Sequence, residues 1–134
     1  MLTSPADQAP LRWGIVSTGN IAGVFAKGLK QSRRGTLVGV GSRSVESALS
    51  FASKWGIASD HAHGSLDGLL ADETVDAVYV ATPHPMHHDA VMAALASGKH
   101  VLCEKPLAMA MSEIDAMQQA ARTHQRTFME AWMY

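Results

Sequence analysis

Cys103 is the only cysteine among 134 residues, so no disulfide can close within the chain. A lone thiol suits a reducing compartment, and a cytoplasmic protein is expected. No apolar run approaches the roughly 20 residues that a membrane-spanning helix needs, so the expectation is no membrane. The 11 Lys and Arg are balanced by 12 Asp and Glu, and no basic run occurs, which argues against nucleic acid as a partner. Residues 1–10 hold two prolines, an Asp and no cation. They lack the charged and apolar regions of a signal peptide and read as a loose tail. Low-complexity segments, interdomain linkers and internal repeats are also missing, which leaves a single domain over residues 11–134.

What is present is an alternation of short apolar runs with longer helical patterns. Strands are expected at Arg12–Ser17, Thr36–Gly41, Ala58–Ala62, Ala77–Ala81, His100–Cys103 and Thr127–Glu130. Helical periodicity fills Ile21–Lys30, Val45–Lys54, Leu66–Leu70, Met86–Ala96 and Ser112–His124. Alternation of this kind builds βαβ units, so the fold class is α/β with a doubly wound parallel sheet, the Rossmann fold. The runs Ala-Val-Tyr-Val-Ala and His-Val-Leu-Cys are apolar nearly throughout, as strands covered on both faces are, and are expected at the centre. Ser112, three residues before Asp115, is a candidate N-cap for the last helix.

The first strand runs into Ser17-Thr18-Gly19-Asn20-Ile21-Ala22, which has the spacing of the G-x-G-x-x-G/A fingerprint with Ser17 in place of the first glycine. Gly19 matters most, because a missing side chain lets a pyrophosphate approach the backbone at a helix N-terminus, where N–H groups are unpaired. The alternative is a tight strand-to-helix turn that binds nothing. Its position between a first strand and a first helix is the context that the dinucleotide-binding motif requires. The second strand ends in Gly41-Ser42-Arg43-Ser44, with no carboxylate to bond the ribose diol of NAD. The Arg43 guanidinium and Ser42 hydroxyl suit a 2′-phosphate, which favours NADP over NAD as the cofactor; a solvated arginine is the plainer reading.

Three segments, Arg12–Ala22, Ala81–His88 (Ala-Thr-Pro-His-Pro-Met-His-His) and Gly98–Ala108 (Gly-Lys-His-Val-Leu-Cys-Glu-Lys-Pro-Leu-Ala), resemble the glucose–fructose oxidoreductase, inositol dehydrogenase and MocA family. The most specific piece is Glu104-Lys105-Pro106 directly after the fifth strand. Ser42-Arg43 and the ending Met129–Tyr134 look nearest to the NADP-linked dihydrodiol and D-xylose dehydrogenase branch. The resemblance implies a nicotinamide dinucleotide bound by Ser17, Thr18, Gly19, Asn20, Ile21, Ser42 and Arg43. It also implies Thr82 and Pro83 near the ribose, His84 or His87 near the nicotinamide, and Glu104 orienting Lys105 or the cofactor.

Lys105 is the candidate catalytic residue that the resemblance implies. Hydride transfer at an alcohol carbon needs a partner for the hydroxyl proton, and a partly buried lysine can be tuned to supply it. His84 and His88 stand four apart, but the prolines around them and the lack of a nearby Cys/Asp/Glu set argue against a metal. The other histidines, His61, His63, His100 and His124, lie outside any motif.

The expected activity is an NADP-dependent oxidoreductase acting on a hydroxyl or carbonyl of a small polyhydroxylated substrate: a sugar, polyol or dihydrodiol. A non-catalytic nucleotide-binding redox sensor and an inert gene fragment are the alternatives. Members of the family carry a C-terminal α+β domain that this sequence lacks, so little turnover is expected from the chain alone. Apolar residues Ala131, Trp132, Met133 and Tyr134, left uncovered, would favour a homo-oligomer.

Overall fold

The computed structural model describes residues 8–132. Strands β1 (Leu11–Val16), β2 (Gly35–Gly41), β3 (Ala62–His63), β4 (Ala77–Val80), β5 (His100–Glu104) and β6 (Phe128–Ala131) form one sheet in the order β3-β2-β1-β4-β5-β6. Every neighbouring pair is parallel. Helices α1 (Asn20–Leu29), α2 (Val45–Trp55), α3 (Leu66–Leu70), α4 (His87–Ala96) and α5 (Met111–His124) connect the strands. No helix among the described residues is long and apolar enough to cross a membrane.

Each strand's alternate residues point to opposite faces, and the core divides accordingly. Ile15, Val40, Tyr79 and Ala81 pack with Ala22, Ala26, Ala48 and Phe51 of α1 and α2. Val16, Val78, Val80, Val101 and Cys103 pack on the other face with Leu69, Val91, Leu95 and Met117 of α3, α4 and α5. Both faces of the central strands are therefore covered. The central pair is β1 and β4, whereas β5, expected at the centre, lies one strand in from the β6 edge.

Leu69 is fully buried in a hollow made by three glycines. A Cβ on Gly14 or Gly39 would come within 3.0 or 3.1 Å of its Cδ1, and one on Gly41 within 3.0 Å of its Cβ and 3.1 Å of the Ser65 carbonyl. The glycines of β1 and β2 thus allow α3 to lie close to the sheet. Gly56 ends α2 in the left-handed region at φ 77°, a conformation costly for any residue with a Cβ.

Two sequence expectations are corrected. The third strand is not Ala58–Ala62 but only Ala62–His63, because a 3-10 turn over Ser59–His61 carries the chain into the sheet edge. Ser112 does not cap α5: the helix starts one residue earlier, after Ala110, and Glu113 accepts from the Met109 N–H at 2.9 Å instead. Met109 and Met111 around the start of α5, Met129 on the edge strand β6 and Trp132 after it are exposed. The expected apolar ending is thus partly visible, while Met133 and Tyr134 lie outside the described residues.

Candidate functional site

After β1 the chain turns sharply at Ser17, whose N–H donates to the Gly41 carbonyl at 2.8 Å and whose φ is 98°. That positive φ occupies the first-glycine position of the fingerprint, so Ser17 adopts backbone geometry that glycine would take without strain. Gly19 follows in an extended conformation as the N-cap of α1, with no side chain bonding the first-turn N–H groups. The nearest protein atom to a Cβ on Gly19 would be Ser17 Oγ at 3.9 Å. Neither backbone strain nor packing within the protein demands glycine there; the space over the helix N-terminus is open to a ligand. Ala22, one turn in, is fully buried, so α1 packs closely on the sheet there.

The neighbouring strand β2 ends at Gly41, and the Ser42 N–H donates to the His63 carbonyl at 3.0 Å. Arg43 is exposed. Ser44 caps α2, accepting from the Ser47 N–H at 3.1 Å and donating to Ser47 Oγ at 2.9 Å. A groove between α1 and α2 is lined by Thr18, Gly19, Asn20, Glu46 and Ser47 at its mouth and by Lys27, Lys54 and Trp55 further along. Glu46 is a carboxylate that inspection of the strand end alone did not bring into the site.

On the other side of β1, β4 leads to Ala81 and Thr82. The Thr82 hydroxyl oxygen is buried without a hydrogen-bond partner in the protein. Unpaired buried hydroxyls are uncommon, and one at a strand's carboxyl end points to a ligand partner. Pro83 and His84 are exposed. His87 is fully buried, its Nε2 2.8 Å from the Thr82 carbonyl and its Nδ1 2.9 Å from the Pro106 carbonyl. Its ring thus ties the loop after β4 to the loop after β5, and of the two histidines only His84 presents its ring to solvent.

At the end of β5, Glu104 Oε1 accepts from the Tyr79 hydroxyl at 2.8 Å, and Glu104 Oε2 accepts from the Lys105 N–H at 2.8 Å. Burial and the bond to Glu104 push the Tyr79 hydroxyl pKa well above its ordinary value, so Tyr79 stays a donor. Tyr79 stacks on Phe25 of α1 at 4.1 Å, which Trp13 meets edge-on at 5.3 Å. Lys105 is exposed, so the partial burial expected of it is not supplied by this domain. Cys103 beside it is no nucleophile: burial, then the charges of Glu104 and Glu130, push its thiol up to about 12.

Sheet order places these groups in one row along the carboxyl edge: Ser42 and Arg43 after β2, Ser17 to Ile21 after β1, Thr82 to His84 after β4, Glu104 and Lys105 after β5. Three strand spacings of about 4.8 Å separate the first from the last, roughly 14 Å in all, which suits a dinucleotide laid across the strands. The chain crosses from β1 outward to β2 and β3 and returns to β4 on the other side of β1. That reversal opens a crevice between β1 and β4, the place where open α/β sheets bind ligands. Tyr79 and the buried role of His87 were missed in the sequence, since both depend on which strands and loops become neighbours.

Residues 11–131 match the oxidoreductase family with an NAD-binding Rossmann fold. The chain is 42% identical over 123 residues to trans-1,2-dihydrobenzene-1,2-diol dehydrogenase of Mus musculus, covering 90% of this chain and 36% of that protein. It is 39% identical over 111 residues to 1,5-anhydro-D-fructose reductase of Ensifer adhaerens, covering 83% of this chain and 33% of that one. The structure of KijD10, a 3-ketoreductase from Actinomadura kijaniata solved with NADP, superposes with a TM-score of 0.85 at 30% identity, over 90% of this chain and 38% of that one. The chain thus spans about a third of the length of these relatives. With the glycine turn, the Glu104-Lys105-Pro106 loop and the whole strand order accounted for together, it belongs to the glucose–fructose oxidoreductase, inositol dehydrogenase and MocA family and supplies that family's Rossmann domain.

Proposed function

We propose that the chain binds a nicotinamide dinucleotide along its carboxyl edge, NADP in preference to NAD, and serves hydride transfer at a hydroxyl or carbonyl carbon of a small polyhydroxylated substrate. The observation that carries this reading is the row of Arg43, Gly19, Thr82 and Lys105 on four adjacent strand ends. The residues present fit the group: bare N–H groups at α1, an open space at Gly19 and an unpartnered buried Thr82 hydroxyl. Hydride exchange is the chemistry a bound nicotinamide supplies.

The chain's own residues do the rest. The α1 N-terminus with Thr18, Gly19, Asn20 and Ile21 holds the pyrophosphate through backbone donors. Arg43 and Ser42 receive the 2′-phosphate, and Thr82, Pro83 and His84 flank the ribose and ring. Glu104, fixed by Tyr79, pins the Lys105 backbone and so sets where its ammonium stands. Lys105 exchanges a proton with the substrate oxygen and steadies charge on it. The relatives' names, a dihydrodiol dehydrogenase, an anhydrofructose reductase and a ketoreductase, support a substrate with neighbouring oxygens. By itself the chain is expected to bind the nucleotide and to turn over little.

Calorimetric titration tests the cofactor assignment. NADP is expected to bind more tightly than NAD, and Arg43→Asp to weaken NADP by about tenfold to a hundredfold, the worth of a charge-assisted hydrogen bond. Equal affinities in the unaltered protein would refute the role of Arg43. In a form of the protein that turns over substrate, Lys105→Met is expected to abolish turnover while NADP still binds; retained turnover would remove Lys105 from the chemistry.

A further inference from the structure

On the α3 side of the outer sheet edge, next to the Ser42 end of the carboxyl-edge row, two imidazoles face one carboxylate. His61 Nδ1 lies 2.7 Å and His63 Nε2 2.9 Å from the same oxygen, Asp72 Oδ2, and the three atoms lie within 4.8 Å of one another. His61 and His63 are two apart, at the 3-10 turn and the two-residue strand β3, while Asp72 comes from the turn between α3 and β4. We propose that His61, His63 and Asp72 form a site for a divalent transition-metal ion of the zinc class, with water completing the shell, which fastens the edge strand to that turn.

The donor set decides the class of ion. Two imidazoles and a carboxylate suit zinc and its first-row neighbours, whereas calcium and magnesium call for oxygen ligands. The carboxylate is oriented from behind: Asp72 Oδ1 accepts from the Thr74 N–H at 2.9 Å and from the Thr74 hydroxyl at 2.6 Å, leaving Oδ2 to the histidines. The nearby Lys99 ammonium does not compete for it, since it donates to the backbone carbonyls of Asp72 at 2.8 Å and Val75 at 2.7 Å. Asp72 is 5% exposed, but the rings of His61 and His63 are 29% and 20% exposed, which leaves an entry path and room for a water ligand.

Without metal, the rings bond to Asp72. On binding, the nitrogen that faces the ion gives up any proton it holds, to the ring's other nitrogen or, from a doubly protonated ring, to water, and its lone pair goes to the metal with no change of oxidation state. For His61 that other nitrogen is Nε2, which has Asp60 Oδ2 4.0 Å away to draw the proton. Tetrahedral zinc spaces its ligand atoms about 3.3 Å apart, so both rings must draw back slightly from Asp72 Oδ2, from 2.7 and 2.9 Å, as the ion enters between them. A short edge strand and an exposed turn can supply that movement.

The test uses tag-free, chelator-treated protein titrated with Zn²⁺ by calorimetry and with Co²⁺ by visible absorption. One ion per chain is expected, with a raised melting temperature, and X-ray absorption of the zinc form should show two imidazoles with nitrogen at about 2.0–2.1 Å. His61→Gln and His63→Gln, which keep an amide donor for Asp72, should each weaken binding at least about a hundredfold, while His88→Gln should not. The proposal is overturned by no saturable binding up to millimolar ion, by absorption data lacking two imidazoles, or by binding that survives both glutamine variants.

Discussion

Ser17 carries the clearest sign of a local rule broken at the place where the ligand is expected. Its φ of 98° is one that glycine adopts freely, yet a serine stands there, with its Oγ 3.4 Å from the Gly19 N–H. Ser17→Gly is expected to relieve the strain and raise stability by up to about 1 kcal/mol, measured by urea unfolding; a loss would show that the hydroxyl contributes more than the strain costs. Tyr79 is the opposite case, a hydroxyl in the core whose only task is Glu104. Tyr79→Phe removes that bond to a carboxylate and should cost about 1.5–3 kcal/mol, with faster hydrogen exchange at the Lys105 amide. Unchanged exchange would separate Tyr79 from the lysine loop. At this scale Gly19 and Arg43 stand out as candidates from glycine spacing and a strand end, whereas Glu104 and Lys105 enter through the family resemblance. Tyr79 was not legible, since its partner is set by the pairing of Tyr79 with Leu102 across β4 and β5, which puts Glu104 on the same face. His61 and His63 lacked a visible partner for the same reason: Asp72 reaches them only through the fold.

Elements were readable where periodicity was strong and ambiguous where backbone turns did the work. The bounds of α3 agree with the sequence pattern, those of α2, α4 and α5 differ by one residue at one end, and α1 is shifted by one residue at both ends. The third strand shrank to two residues because a 3-10 turn took its first half, and such turns leave little trace in apolar spacing. Glycine weakens strands in general, but Gly39 and Gly41 of β2 serve packing, making the hollow for Leu69 together with Gly14. Gly41→Ala should therefore destabilise the protein by about 1–3 kcal/mol, because the added methyl meets the Leu69 Cβ and the Ser65 backbone rather than the far end of a flexible chain. Equal stability in urea would mean that α3 can lift from the sheet without cost.

For the molecule as a whole, the parallel sheet was legible from the alternation of apolar runs and helices, but the strand order was not. Placing β1 and β4 side by side follows from crossovers packing on both faces, and that adjacency creates the crevice. A fork at the opposite, amino end of these two strands ties them together: Arg12 Nε and Nη2 donate to Asp76 at 3.0 and 2.8 Å, and the Arg12 N–H donates at 2.9 Å. The side-chain bonds from Arg12 hold the Asp76 carboxyl below its ordinary pKa against the opposing effect of burial. A folded-state pKa lowered in this way stabilises the fold above the unfolded value of about 4, and that contribution fades as pH falls through the lowered pKa. Arg12→Gln should thus be less stable than the unaltered protein at neutral pH, with the gap narrowing in acid. A gap independent of pH would assign the effect to packing of the arginine stem.

The proposal that a dinucleotide lies along the carboxyl edge is tested most directly by recording amide chemical shifts of the ¹⁵N-labelled protein while NADP is added. The largest shifts are expected at Thr18 to Ile21, at Ser42 and Arg43, at Thr82 and at Lys105, with the Arg43 shift reduced when NAD replaces NADP. Absence of shifts at saturating nucleotide, or shifts confined to residues away from these four strand ends, would contradict the arrangement.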